Sequence, residues 1–190
     1  TSAFGDKTIL EKIIAQYDPG FLLSYVGDKE FRKVVAVLPQ FEQIYFDDVL
    51  VLYADKSKYP DLVREYRLEV LDHFDWQSED FEKMDAQKRK TAMFECQRLL
   101  QFYPEGLTAN AIAAKILLAE GNFTQAGSHA DTLIHYFPDR FMGYSLKGIV
   151  AFKQNRFEDS LRWQQQALPR AMPSETEAVR RNIYASYVRL

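Results

Sequence analysis

Apolar residues recur at helical spacing along most of the chain. In the first 72 residues Ile9, Ile13, Ile14 and Tyr17 follow the 3.6-residue period, as do Phe41, Ile44, Tyr45, Val49 and Leu52, and then Leu62, Tyr66 and Val70. Asp18-Pro19 and Tyr59-Pro60 read as helix starts, with proline in a first turn where its missing N–H costs nothing. Val34–Leu38, bounded by Pro39, also suits a short buried strand. With that strand kept as the alternative, the whole of 1–72 is expected to be irregular but helical, with 41–72 a helix pair. Beyond it the pattern predicts helices over 74–86, 88–102, 109–120, 123–136, 141–154, 157–168 and 175–190, and needs no strand. Ser174 with Glu177 fits a capping box that opens the last of these. No Gly/Ser/Pro-rich linker parts the two regions, so one continuous helical stack is expected, with 1–72 packed on the C-terminal helices.

The second half repeats itself. Gly121-Asn122-Phe123 and Asn155-Arg156-Phe157 lie 34 residues apart, and Ala126 falls on Ser160. Going back by the same step sets Pro138 on Pro104, Leu133 on Leu99, Ala130 on Cys96 and Ala126 on Ala92. Asn and Gly favour the left-handed backbone that ends one helix and reverses the chain. Small residues on the returning helix (Ala126, Ala130, Ser160, Ala167) let two axes approach, and Pro104, Pro138 and Pro173 stop each second helix. Ala114 and Gly148, also one step apart, are small residues on the first helices.

This spacing and these residues resemble the tetratricopeptide repeat (TPR) family over about 73–190. The resemblance implies an all-α fold, a right-handed α-solenoid of helix-turn-helix repeats. Its units are 73–106, 107–140 and 141–174, with a terminal or capping helix over 175–190. The unit 73–106 is degenerate: Trp76 stands where the family often has tryptophan, but Asp80 replaces a small residue and Arg89 the turn aromatic. Solenoids of this kind present the first helix of each unit on a concave surface. The candidate partner-binding groove comprises Phe81 and Met84, then Ala111 and Lys115, then Met142, Ser145, Ile149 and Phe152, and finally Ile183 and Tyr187. This lining is largely apolar, with Lys115 its one basic residue, and suits a helical or extended apolar protein segment. An alternative is that residues 1–72 fold back over the groove.

Composition narrows the function classes. The 190 residues are 47% hydrophobic with a formal charge of −3, enough apolar content for a sizeable core. Residues 1–95 carry 13 Lys+Arg against 19 Asp+Glu, and no basic cluster exceeds Lys88-Arg89-Lys90, so nucleic acid is not expected as a partner. No run reaches the ~18 apolar residues of a membrane span. The chain begins at Thr1 and its first methionine is Met84, which suits the soluble part of an exported or membrane-anchored protein and leaves localisation open.

Catalytic chemistry finds little support. His129 and His135 are six apart and point to different sides of a helix, and His73 is remote, so no metal site is expected. Asp131 and His135 suit a surface contact, and the single Cys96 occupies a small-residue packing position. The acidic run Asp72 to Asp85 lacks the glycine and alternation of a calcium loop. The expectation is a scaffold or adaptor that is not an enzyme, needs no cofactor, and works within a larger, membrane-associated assembly. The rival readings are a regulatory domain of a larger enzyme or secretion machine, and a module that self-assembles through its C-terminal helix, where Ile183, Tyr184 and Tyr187 would lie uncovered.

Overall fold

The computed structural model describes residues 6–73, 75–77 and 79–190. The protein is mostly helical and carries one small sheet. It divides into two compact units, Thr1–Glu79 and Asp80–Leu190.

The first unit runs α1 (Lys7–Tyr17), β1 (Phe21–Tyr25), α2 (Lys29–Val35), β2 (Phe41–Phe46), β3 (Leu50–Asp55) and α3 (Pro60–Tyr66). Its antiparallel sheet has the order β1-β3-β2. The helix expected over 41–52 is therefore a hairpin. Its turn is organised by Asp47, whose Oδ1 accepts from Val49 N at 2.7 Å and Leu50 N at 2.9 Å, a local bond that favours reversal over helix. An irregularity in register between Gln43 and Tyr45 explains the misleading period: it shifts the phase of β2, so that buried Phe41 and Ile44 stand three apart as they would on a helix.

One further expectation changes. Asp18-Pro19 ends a helix instead of starting one: Asp18 is left-handed, with φ 46°, and its N–H bonds Ile14 O, after which proline cannot continue. Val34 and Val35 close α2, in keeping with the helical reading of this stretch, and the strand alternative over Val34–Leu38 does not form. Tyr59-Pro60 does open α3, whose Val63 packs with Ile44 and Ala54 on the sheet, joined by Leu52, Leu62 and Tyr66. Arg32 of α2 pairs with Asp72 at 2.9 Å and Asp75 at 3.3 Å, holding the end of this unit against its second helix.

The second unit is a sequence of helices: α4 (Ala86–Phe102), α5 (Leu107–Ala119), α6 (Phe123–Tyr136), α7 (Phe141–Lys153), α8 (Phe157–Ala167) and, after a 3₁₀ turn over Leu168–Arg170, α9 (Pro173–Tyr187). Each packs on the next, and α7 also touches α5 and α9. The helix expected over 74–86 is absent from the described residues there, which form turns; Phe74 lies outside them. Arg89 explains part of that change. Its guanidinium Nη1 donates to the carbonyls of Phe81 (2.9 Å) and Met84 (2.7 Å), tying the turn to α4 where a first helix would otherwise sit. α9 starts earlier than the Ser174–Glu177 reading, because Glu175 reaches back to Met172 N at 2.8 Å.

Under a shift of 34 residues the hairpins α5–α6 and α7–α8 match in both helix starts and in the end of the first helix, while α6 runs on to Tyr136 and α8 stops at Ala167. Gly121 (φ 76°) and Asn155 (φ 59°) both take the left-handed backbone. Asn122 N bonds Leu117 O at 2.8 Å, and Arg156 N bonds Ala151 O at 2.9 Å. Between the hairpins, Gly143 lies so close to α6 that a Cβ there would stand 2.9 Å from Ile134 N and 3.0 Å from Ala130 O, both main-chain atoms. Buried Gly127, by contrast, has nothing within 4 Å of a built Cβ. Gly143→Ala should therefore cost about 1–3 kcal/mol through forced separation of the helices. Gly127→Ala should gain about 0.5–1 kcal/mol through helix propensity. Urea denaturation of the two variants against the parent checks the opposite signs.

Candidate functional site

The groove residues named from sequence separate into two sets. Phe81, Ala111 and Ser145 are buried and offer no usable surface, so they are corrected from lining to packing. Ile183 is half-buried and packs against the cluster of Tyr144, Ala167 and Val179. Met84, Lys115, Met142, Ile149 and Phe152 keep part of their surface, and Tyr187 is fully open. The structure brings Ile149 and Phe152 together at one cavity of about 220 Å³, completed by Lys153, Ser160, Gln164, Asn182 and Ala185.

Three helices build this cavity. α7 supplies an apolar wall, where Phe152 meets Phe157 edge to face at 5.4 Å between ring centres. α8 supplies the floor. Gln164 is buried against Gly148, where a side chain would collide with it: a built Cβ stands 2.8 Å from Gln164 Cδ. Its Nε2 donates to Ser145 O at 2.9 Å, and its Oε1 accepts from Ser145 Oγ at 3.3 Å. α9 supplies Asn182 and Ala185, and is anchored by Ser186, whose hydroxyl donates to Asn182 O at 2.9 Å. That spends the one proton of Ser186, so Ser160 Oγ is the donor in the 2.8 Å bond between the two serines. Lys153 is held at the rim by Glu82 at 2.7 Å.

Such a site can receive an apolar side chain and hydrogen-bond a polar group through Asn182. Ser160 of its lining donates to Ser186, whose own hydroxyl donates to the helix carbonyl of Asn182. Signals for Gln164 and Asn182 were missing from the sequence, since both are polar residues on helices whose burial depends on the glycine and small residues opposite.

The other candidate groups are structural in their contacts. Cys96 is buried, its Sγ 3.0 Å from Ala109 O, and burial pushes its thiol up to about 12. Asp131 pairs with Lys147 at 2.8 Å, while His135 packs edge-on to Tyr136. Among the described residues no three His, Cys, Asp or Glu side chains gather as metal ligands, and no helix is long and apolar enough to cross a membrane. Burial lowers the pKa of Lys115, half-way along α5.

His129 joins a polar pair inside the α5–α6 hairpin. Asn110 Nδ2 donates to Pro104 O and Gly106 O, each at 2.8 Å, which turns Oδ1 toward His129. Nδ1–H of the imidazole therefore donates to Asn110 Oδ1 at 2.8 Å. Burial holds this histidine below the ordinary value, so the folded state favours the neutral ring. Its contribution to stability is present above ~6.5, the unfolded value, and is lost as pH falls from there through the folded pKa. Denaturation between pH 7.5 and 5 should show a shallower acid loss for His129→Gln than for the parent, since glutamine can donate without titrating.

No family model matches this chain, and no curated protein matches it at a significant level.

Proposed function

We propose that the helical unit is a right-handed α-solenoid of TPR-like hairpins, and that it acts as a non-catalytic scaffold or adaptor binding a partner protein segment. The observation that carries this reading is the coincidence of α5–α6 with α7–α8 under a single 34-residue step, in the helix starts, the end of the first helix, the left-handed turn residue and the turn hydrogen bonds. Hairpins repeated in this way stack side by side and leave their first helices facing a common surface, consistent with the contacts of α7 with both α5 and α9. Lys115, Met142, Ile149 and Phe152 occupy those first helices with part of their surface open. The cavity beneath Ile149 and Phe152 is an anchor pocket for one apolar side chain of a helical or extended segment.

Capture of partners from native cells, quantified by mass spectrometry, tests the reading. Phe152→Glu and Asn182→Trp should each reduce the captured partner at least tenfold while far-UV circular dichroism stays at the parent level. Asn182→Trp fills the cavity without removing an apolar contact, so partner capture unaffected by both changes would refute the pocket.

A second reading has its own observation. Tyr184, Tyr187, Val188 and Leu190 are 71, 69, 62 and 58% exposed along and just beyond α9. An apolar end of this kind suits association with another helix pair, including one from a second copy. Sedimentation of the parent should then show concentration-dependent assembly that Tyr184→Glu with Tyr187→Glu abolishes; a monomer throughout the micromolar range sets this reading aside.

A further inference from the structure

The N-terminal unit has a separate surface, built from main-chain groups. Among the described residues β1 is an edge of the sheet, paired with β3 alone. Two bonds fix the phase of that ladder: Asp55 N–H to Gly20 O and Val26 N–H to Val49 O, 2.9 Å each. Gly20, Leu22, Ser24 and Val26 thus turn their N–H and C=O groups to β3, and those of Phe21 and Leu23 point to the open side, with the N–H of Tyr25. Tyr25 O is already occupied by Asp28 N at 2.9 Å and Ser24 Oγ at 3.1 Å.

Protein edges are usually blunted by lysine, proline or a bulge. The strand Phe21-Leu22-Leu23-Ser24-Tyr25 has none of these, and Phe21, Leu23 and Tyr25 are 41, 63 and 65% exposed. Alongside it runs a cleft of about 320 Å³ between β1 and the α1 side chains Leu10, Ile13 and Tyr17.

Three occupants compete for such a cleft. A helix satisfies its own main chain and would leave the Phe21 and Leu23 groups without partners. A second copy, pairing β1 with β1, would cover Phe21, Leu23, Tyr25 and the exposed Tyr17. At ~150–250 Å² for a whole aromatic side chain, their open fractions come to roughly 500 Å² per protomer, short of the ~800 Å² per partner of a stable association. An extended peptide answers both the main-chain groups and the cleft, since ladder bonds supply affinity and alternate side chains fill the pocket. Charge refines its chemistry: Asp28 is the one charged residue among those lining the cleft, and residues 1–79 carry 15 Asp+Glu against 9 Lys+Arg.

We infer that β1 is a docking edge on which a partner's extended segment adds as a fourth strand, with apolar side chains at alternate positions and a Lys or Arg at the end that meets Asp28.

The full chain and a fluorescein-labelled peptide Lys-Ile-Thr-Val-Thr-Ile test this by anisotropy. Saturable binding is expected, weakened at least tenfold when alternate peptide amides are N-methylated. Leu23→Pro removes an outward N–H without touching a bond to β3, so it should weaken binding at least tenfold with the circular dichroism spectrum unchanged. Asp28 also caps α2 by accepting from Phe31 N at 3.0 Å, a role asparagine can keep. Asp28→Asn should therefore weaken the lysine-ended peptide severalfold and leave its norleucine-ended counterpart unchanged. Absence of binding at millimolar peptide, or equal binding of the N-methylated peptide, overturns the inference. So does a dimer in sedimentation that Leu23→Pro dissolves, because a second copy would then own the edge.

Discussion

The helical unit depends on how closely its axes can approach, and that distance is set by a few positions without bulk. Gly143 brings α7 within main-chain contact of α6, and Gly148 leaves the space into which Gln164 extends. Ala92 and Ala126, one 34-residue step apart, and likewise Cys96 and Ala130, are fully buried. Packing at interior density leaves no slack to absorb an added methylene, so these contacts fix the geometry of the whole row of helices. The left-handed residues Gly121 and Asn155 then set each reversal in the same way, which is why one hairpin superimposes in its turn bonding on the next.

The helices of this unit were legible because their signals are local. Asparagine or glycine before an aromatic marks the reversal, and proline marks the stop; α6 begins and ends at the residues the period gives. The small sheet was not legible. The register shift in β2 puts buried residues three apart, and the turn at Asp47 uses an acidic pair in place of the Asn-Gly or Asp-Gly signature of a tight hairpin. Non-local pairing with β1 supplies the remaining reason, since nothing in FLLSY itself states which strand it will join. Ile149 and Phe152, placed by period, line a cavity, whereas Ala111 and Ser145 share that period and are buried because α5 and α7 are covered on more than one side.

The two units answer the same problem, satisfying buried main chain, by different means, and so leave different surfaces. Helices satisfy their own N–H and C=O groups and can expose only side chains. A three-stranded sheet always leaves two strands with one side unpaired. The first unit thus offers directional hydrogen bonds at β1, and the second offers shape between helices.

Within the repeated hairpins the informative positions are those where the shift of 34 changes chemistry without changing place. Ala111, Ala114 and Ala130 are fully buried in α5–α6; their counterparts in α7–α8 are Ser145, Gly148 and Gln164. The larger glutamine is offset by the smaller glycine facing it, and the serine supplies the acceptor and donor its buried amide needs. The reverse exchange occurs at a second pair, where the hydrogen-bonded Asn110 and His129 are matched by Tyr144 and Trp163, with ring centres 6.3 Å apart. Each substitution is tolerated only with its partner, because an amide without a bond or a glycine without a filler would each cost stability. A common frame therefore carries two different interiors, and in the second of them Gln164 with Ser160 forms the floor of the cavity between α7, α8 and α9.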